Sequence, residues 1–122
     1  MRHSVLLVED DDVLRALYGF VLANCGYKVT GVRNGADALA ELQAYRPDVI
    51  LTDLAIPGPD GVTLIRIIKS KAELADIPLI AMTAYGHNLL SLANSAGADL
   101  AVEKPVDVKT LCDLVTSVLP QP

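Results

Sequence analysis

The chain has 122 residues, 52% of them hydrophobic and only 4% aromatic, which fits one domain whose core must be built from Leu, Val, Ile and Ala and argues against disorder. The net charge of −5, with fifteen acidic against ten basic residues, argues against a broad nucleic-acid-binding surface, which would need clustered Lys and Arg. No apolar run approaches the ~18 residues of a membrane span, and Met-Arg-His leads straight into a strand-like run with no room for a signal peptide, so a cytoplasmic protein is expected.

Along the chain, short β-branched apolar runs alternate with longer amphipathic stretches. The pattern predicts strands near 4–8, 27–32, 48–52, 78–82 and 99–102, with helices near 12–25, 35–45, 61–72, 87–96 and 107–118. The first helix places Leu14, Leu17, Val21 and Leu22 on one face and stops before Gly26, a residue suited to a left-handed C-terminal turn. The second starts after Asn34, an N-cap residue type, and must end before Pro47. The first, third and fourth strands read as nearly continuous aliphatic runs, as burial on both faces of a parallel sheet requires. Five βα units result, an α/β doubly wound fold spanning 1–122, and right-handed crossovers bring every strand's carboxyl end to one edge. Cys25 and Cys112 lie far apart within apolar helical patterns and without metal-ligand spacing, so they are expected to be core thiols.

The strand ends carry the chemistry. Glu9-Asp10-Asp11-Asp12 follows the run Val5–Val8, Asp53 closes the run that begins at Val49, Thr83 follows the fourth strand, and Lys104 follows the fifth. A hard divalent cation such as Mg²⁺ takes a few carboxylate oxygens and keeps positions for waters and phosphate, so Glu9, Asp10 and Asp53 suit it. Asp53 ends the central strand before the turn-rich stretch 54–61, which makes it the best candidate nucleophile toward phosphorus. The metal, Lys104 and the Thr83 hydroxyl could then share the charge of three phosphoryl oxygens. Asp12, and partly Asp11, read instead as helix-start residues. Gly58 and Gly61 read as backbone-geometry residues. His3, at the opposite edge, and His87, at the start of the fourth helix, read as non-catalytic.

At these residues the chain resembles the receiver domain of two-component response regulators, over essentially its whole length. Val-Glu-Asp-Asp at 8–11, Asp-Leu-Ala-Ile-Pro-Gly-Pro-Asp-Gly at 53–61, Met-Thr-Ala at 82–84 and Glu-Lys-Pro at 103–105 are similar to that family's motifs and stand in its order. The resemblance implies a flavodoxin-like sheet of order 2-1-3-4-5. It implies that Asp53 takes a phosphoryl group from a histidine kinase or phosphotransfer protein, and that Glu9, Asp10, Asp53 and the Ala55 carbonyl hold Mg²⁺. Thr83 and Lys104 would contact the phosphoryl group, and Lys104-Pro105 would be cis. Such a protein catalyses its own phosphorylation and dephosphorylation without being a conventional enzyme. A stand-alone receiver acting on a downstream protein is expected, without direct contact to nucleic acid or insertion into a membrane. The resemblance also implies a homodimer through the fourth-helix to fifth-helix surface, with Leu89, Leu90 and Leu92 making the fourth helix apolar enough to leave a patch unburied.

One departure is informative. Receivers commonly carry Tyr or Phe three residues before the lysine, and here that position is Ala101, with Val106 after the Lys-Pro pair. Phosphorylation without the usual aromatic swing is therefore expected, with output through the 83–90 loop or through dynamics. Tyr85 and Ala55 would tune the lifetime of the aspartyl phosphate. The alternative is a receiver-like interaction module that is not phosphorylated. A flavin-phosphate binder is disfavoured by the acidic loop after the first strand. A hydrolase of the haloacid-dehalogenase type would carry its nucleophile on the first strand in an Asp-x-Asp arrangement.

Overall fold

The computed structural model describes residues 2–84 and 86–120. Strands and helices alternate: β1 (Ser4–Val8), α1 (Asp12–Asn24), β2 (Lys28–Val32), α2 (Gly35–Ala44), β3 (Val49–Asp53), α3 (Gly61–Ser70), β4 (Leu79–Thr83), α4 (His87–Ala96), β5 (Leu100–Glu103) and α5 (Val108–Val118). The predicted elements all form, with ends shifted by at most two residues. All strand pairs are parallel, in the order β2-β1-β3-β4-β5.

Side-chain alternation along the central strands feeds two separate apolar layers. Leu6, Val8, Ile50, Leu79 and Ala81 point to one face and pack with Ala38, Leu42, Leu64, Ile65, Ile68 and Ala93 from α2, α3 and α4. Val5, Leu7, Val49, Leu51, Ile80 and Met82 point to the other and pack with Tyr18, Val21, Leu22, Leu111 and Val115 from α1 and α5. Every residue of β3 and β4 is buried, which explains why each opens on three consecutive aliphatic residues. Truncating one of these side chains, such as Leu51, to Ala would cost about 2–5 kcal/mol.

Short polar side chains set the helix starts. Asp11 accepts from the Leu14 N–H, Asn34 from Asp37, Asp60 from Thr63 and Asp107 from Thr110, each satisfying an amide that has no partner within its helix. Helix α4 instead has Gly86 at its N-cap, with φ 88° and no side-chain hydrogen bond. Gly26 follows α1 at φ 98°, in the left-handed region its position predicts.

Two expectations need correction. Leu17 is not on the buried face of α1: it is 49% exposed, and Tyr18 takes the buried position. The cysteines are not core thiols. Cys25, exposed at the end of α1, and half-buried Cys112 on α5 form a disulfide. Each cysteine sits in an amphipathic pattern that reads equally well as core packing, and only the placement of α1 and α5 on one face of the sheet brings them together.

Candidate functional site at the carboxyl edge of the sheet

Strand register builds the site. Val8 is level with Thr52, so the next residues, Glu9 and Asp53, emerge side by side. Thr83 pairs with Glu103, so Lys104 leaves β5 one step beyond it, and the Lys104 N–H donates to the Thr83 carbonyl at 2.8 Å. Glu9, Asp10, Asp53, Ala55 and Lys104 all line one open cavity of about 490 Å³. Thr83 stands at the same edge but is fully buried, and Ala84 forms the cavity wall there. The Lys104-Pro105 bond is cis, as is Gly58-Pro59, which the sequence reading did not anticipate. Tyr85 lies outside the described residues.

Lys104 connects the acids. Its Nζ lies 2.5 Å from Glu9 Oε1 and 3.0 Å from Asp53 Oδ2. Glu9 is fully buried, Asp53 nearly so at 6% exposure, and Asp10 is exposed. One ammonium therefore bridges two of three carboxylates, Glu9, Asp10 and Asp53, that each offer an oxygen within 4.8 Å of the others. Burial pushes the Glu9 carboxyl above its ordinary range, with the Asp53 charge adding to this and the Lys104 hydrogen bond opposing it. Burial alone would lower the Lys104 pKa, but its bonds to Glu9 and Asp53 outweigh that and raise it. The three acids carry more negative charge than the lysine offsets, and their oxygens are the donors a hard divalent cation prefers. The residues present thus fit a bound Mg²⁺.

The backbone around Asp53 is held from both sides. The Ala55 N–H donates to Asp53 Oδ1 at 3.2 Å, and the Leu54 N–H donates to the Met82 carbonyl at 2.9 Å. Leu54 and Ile56 are buried, anchoring the turn-rich loop. The loop closes where the Gly61 N–H meets the Leu54 carbonyl at 2.9 Å. A Cβ on Gly61 would stand 2.7 Å from the Asp53 carbonyl oxygen and closer still to Leu54 Cα. Glycine here allows α3 to approach the strand that carries Asp53.

Helix α1 contributes side chains to the site that the strand-end motifs do not include. Leu14 and Tyr18, one turn apart, line the cavity, and the Lys104 ammonium lies 5.9 Å from the centroid of the Tyr18 ring, within range of a cation–π attraction. Arg15 donates from Nη1 to the Glu9 carbonyl at 3.0 Å and from Nη2 to Asp12 at 2.6 Å. The i, i+4 spacing of Leu14 and Tyr18 behind the acidic run was the available signal. Asp11 and Asp12 act at the helix start as expected, by capping and by pairing with Arg15. His87 is 92% exposed and His3 is 50% exposed near Asp48, both outside the cavity.

Comparison with known proteins agrees with this fold. The family model for the response regulator receiver domain matches residues 5–116. The chain is 38% identical over 116 residues to the transcriptional regulatory protein CseB of Streptomyces avermitilis, covering 94% of this chain but 48% of CseB, so it spans about half the length of that relative. It is 34% identical to sporulation initiation phosphotransferase F of Bacillus subtilis, covering 98% of this chain and 96% of the relative. The structure superposes on the chemotaxis response regulator CheY4 of Vibrio cholerae with a TM-score of 0.91 at 26% identity, covering 98% of this chain and 100% of the other. Among the described residues no helix is long and apolar enough to cross a membrane. Fold, strand order and family match converge, and the chain belongs to the receiver domains of two-component response regulators.

Proposed function

We propose that this receiver takes a phosphoryl group onto Asp53 from the phosphohistidine of a histidine kinase or phosphotransfer protein. The observation that carries this reading is the placement of Glu9, Asp10 and Asp53 within 4.8 Å of one another, with Lys104 bridging Glu9 and Asp53. An Asp53 carboxylate oxygen attacks phosphorus of a phosphohistidine whose other ring nitrogen is protonated; the P–N bond breaks, its electron pair stays on nitrogen and neutral imidazole leaves. Glu9, Asp10, Asp53 and the Ala55 carbonyl would hold Mg²⁺, which when bound would offset charge on the incoming phosphoryl oxygens. Lys104 would turn its ammonium from the carboxylates toward a phosphoryl oxygen, and the Thr83 hydroxyl would donate to another. The chain thereby promotes its own phosphorylation and dephosphorylation and is not a conventional enzyme.

A protein donor is supported by the outer face of α1. Val13, Leu17 and Phe20, at i, i+4 and i+7, are 75%, 49% and 67% exposed on the helix whose first turns border the cavity. Such a stripe suits a helical partner. Output would pass to a downstream protein through the 83–90 region, where α4 lacks a side-chain cap. Leu92, 45% exposed on α4, is available to a second copy or to that target.

Ala101 supports a second reading, in which the domain binds partners without being phosphorylated. Half-buried Ala101 packs on the α4 side of the sheet, and its methyl cannot swing between two positions as a ring can. Beryllofluoride with Mg²⁺ separates the two readings. Amide resonances around Asp53, Thr83 and Lys104 should shift only when both are present and not in Asp53→Asn. An unchanged spectrum would support the interaction module.

A further inference from the structure

We propose that Cys25 and Cys112 form a redox-reversible clamp that sets the rigidity of the α1–α5 face. The bridge joins the C-cap of α1 to the second turn of α5 across 87 residues of sequence. It is not needed to assemble the fold. The α1–α5 layer already buries Val21, Leu22, Leu111, Val115 and Leu119, and Tyr27 Oη meets Thr116 Oγ1 at 2.5 Å beside it. Domains of this size build sufficient cores without disulfides, so the reduced chain stays folded and both redox states are accessible.

The bridge is also open to exchange. Cys25 is exposed while Cys112 is half-buried, so the thiolate of an external dithiol attacks Cys25 Sγ, the S–S bond breaks and Cys112 leaves as a thiolate that takes up a proton. The dithiol's second thiolate then attacks its own sulfur in the mixed disulfide and expels Cys25. Two electrons and two protons pass to the chain, and the dithiol becomes a disulfide. The Val21 carbonyl oxygen, 3.8 Å from Cys112 Sγ, gives the released thiol an acceptor without rearrangement.

The clamp joins the elements that frame the cavity. Leu14 and Tyr18 of α1 form one wall, and Lys104-Pro105, just before α5, forms the other. Reduction loosens α5 relative to α1 and so alters the face that carries Val13, Leu17 and Phe20. That consequence for phosphotransfer rests on the function proposed above, whereas the redox device itself does not.

The test treats the native chain with dithiothreitol, alkylates it with iodoacetamide, measures intact mass and follows amide hydrogen exchange. Two alkyl groups should add without denaturant, and the α5 amides should exchange at least about fivefold faster while those of β3 and β4 are unchanged. The Cys25→Ser/Cys112→Ser chain should reproduce the reduced pattern. Alkylation that requires denaturant, or reduction that leaves α5 exchange unchanged, would overturn the proposal. Acetyl phosphate with Mg²⁺ is run in parallel. If neither redox state takes a phosphoryl group while α5 exchange still responds, the clamp stands and the phosphoacceptor reading fails.

Discussion

The Nζ of Lys104 lies 3.0 Å from Asp53 Oδ2 across 51 residues of sequence. The same ammonium meets buried Glu9 at 2.5 Å, so a single cation holds two carboxylates together at the end of the sheet. Much of the site's expected behaviour follows from that sharing.

Replacing Lys104 with Met removes the only cation paired with the Glu9 and Asp53 carboxylates among the described residues. Breaking a buried ion pair from one side leaves uncompensated charge, with an expected cost of about 3 kcal/mol. Urea unfolding of Lys104→Met in EDTA should show that loss, and millimolar Mg²⁺ should recover part of it. Equal stability of variant and parent in EDTA would mean that Lys104 does not hold the carboxylates.

The pH dependence follows from Glu9. Its carboxyl is raised above the ordinary 4.5, chiefly by burial, so the folded chain binds this proton more tightly than the unfolded chain does. Glu9 by itself therefore adds stability that is full below 4.5 and is lost as pH rises through its raised value. A cation needs the ionised form and competes with that proton. Mg²⁺ affinity measured by calorimetry should be weaker at about pH 5.5 than at neutral pH, with Glu9→Gln flattening the difference. Constant affinity down to the ordinary carboxylate range would remove Glu9 from the ligand set.

Gly61→Ala should push on the backbone of the nucleophile's strand, because the added Cβ meets the Asp53 carbonyl and Leu54 Cα and no flexible side-chain tip. Overpacking of this kind costs about 1–3 kcal/mol. Thermal unfolding should show the loss, and phosphoryl uptake should slow even where the variant remains folded. A variant with parental stability and uptake would show that the loop yields without moving Asp53.

Ala101→Tyr tests the output route. Beryllofluoride should shift resonances of the parent chain near Thr83 and α4 but little on the outer face of β5 and α5. The variant's ring should extend those shifts to β5 and α5 and change binding of the downstream partner. No change in either would count against the missing aromatic as the reason for an altered output.

The sheet and the positions of Glu9, Asp10, Asp53 and Lys104 were legible because parallel α/β crossovers align strand ends, so linear runs such as Val5–Val8 and Val49–Asp53 become neighbours by rule. The Cys25–Cys112 bridge depends on helix orientation as well as topology. Its signal was available, since helices before β2 and after β5 share one face, but the amphipathic pattern favoured burial. Leu17 and Tyr18 traded places for a related reason. Hydropathy alone ranks Leu above Tyr, whereas the angular position that faces Val5, Leu7 and Lys104 belongs to residue 18. The exposure of Val13, Leu17 and Phe20 could not be read from hydrophobicity, because an apolar residue signals burial whether the covering surface belongs to the same chain or to a partner.

Intact mass after incubation with acetyl phosphate, with and without Mg²⁺, tests the central claim most directly. One phosphoryl group should add in the presence of Mg²⁺, disappear with EDTA, and be absent from Asp53→Asn under the same conditions. Persistent absence of the adduct in the parent chain, or its survival in Asp53→Asn, would contradict Asp53 as the phosphoacceptor.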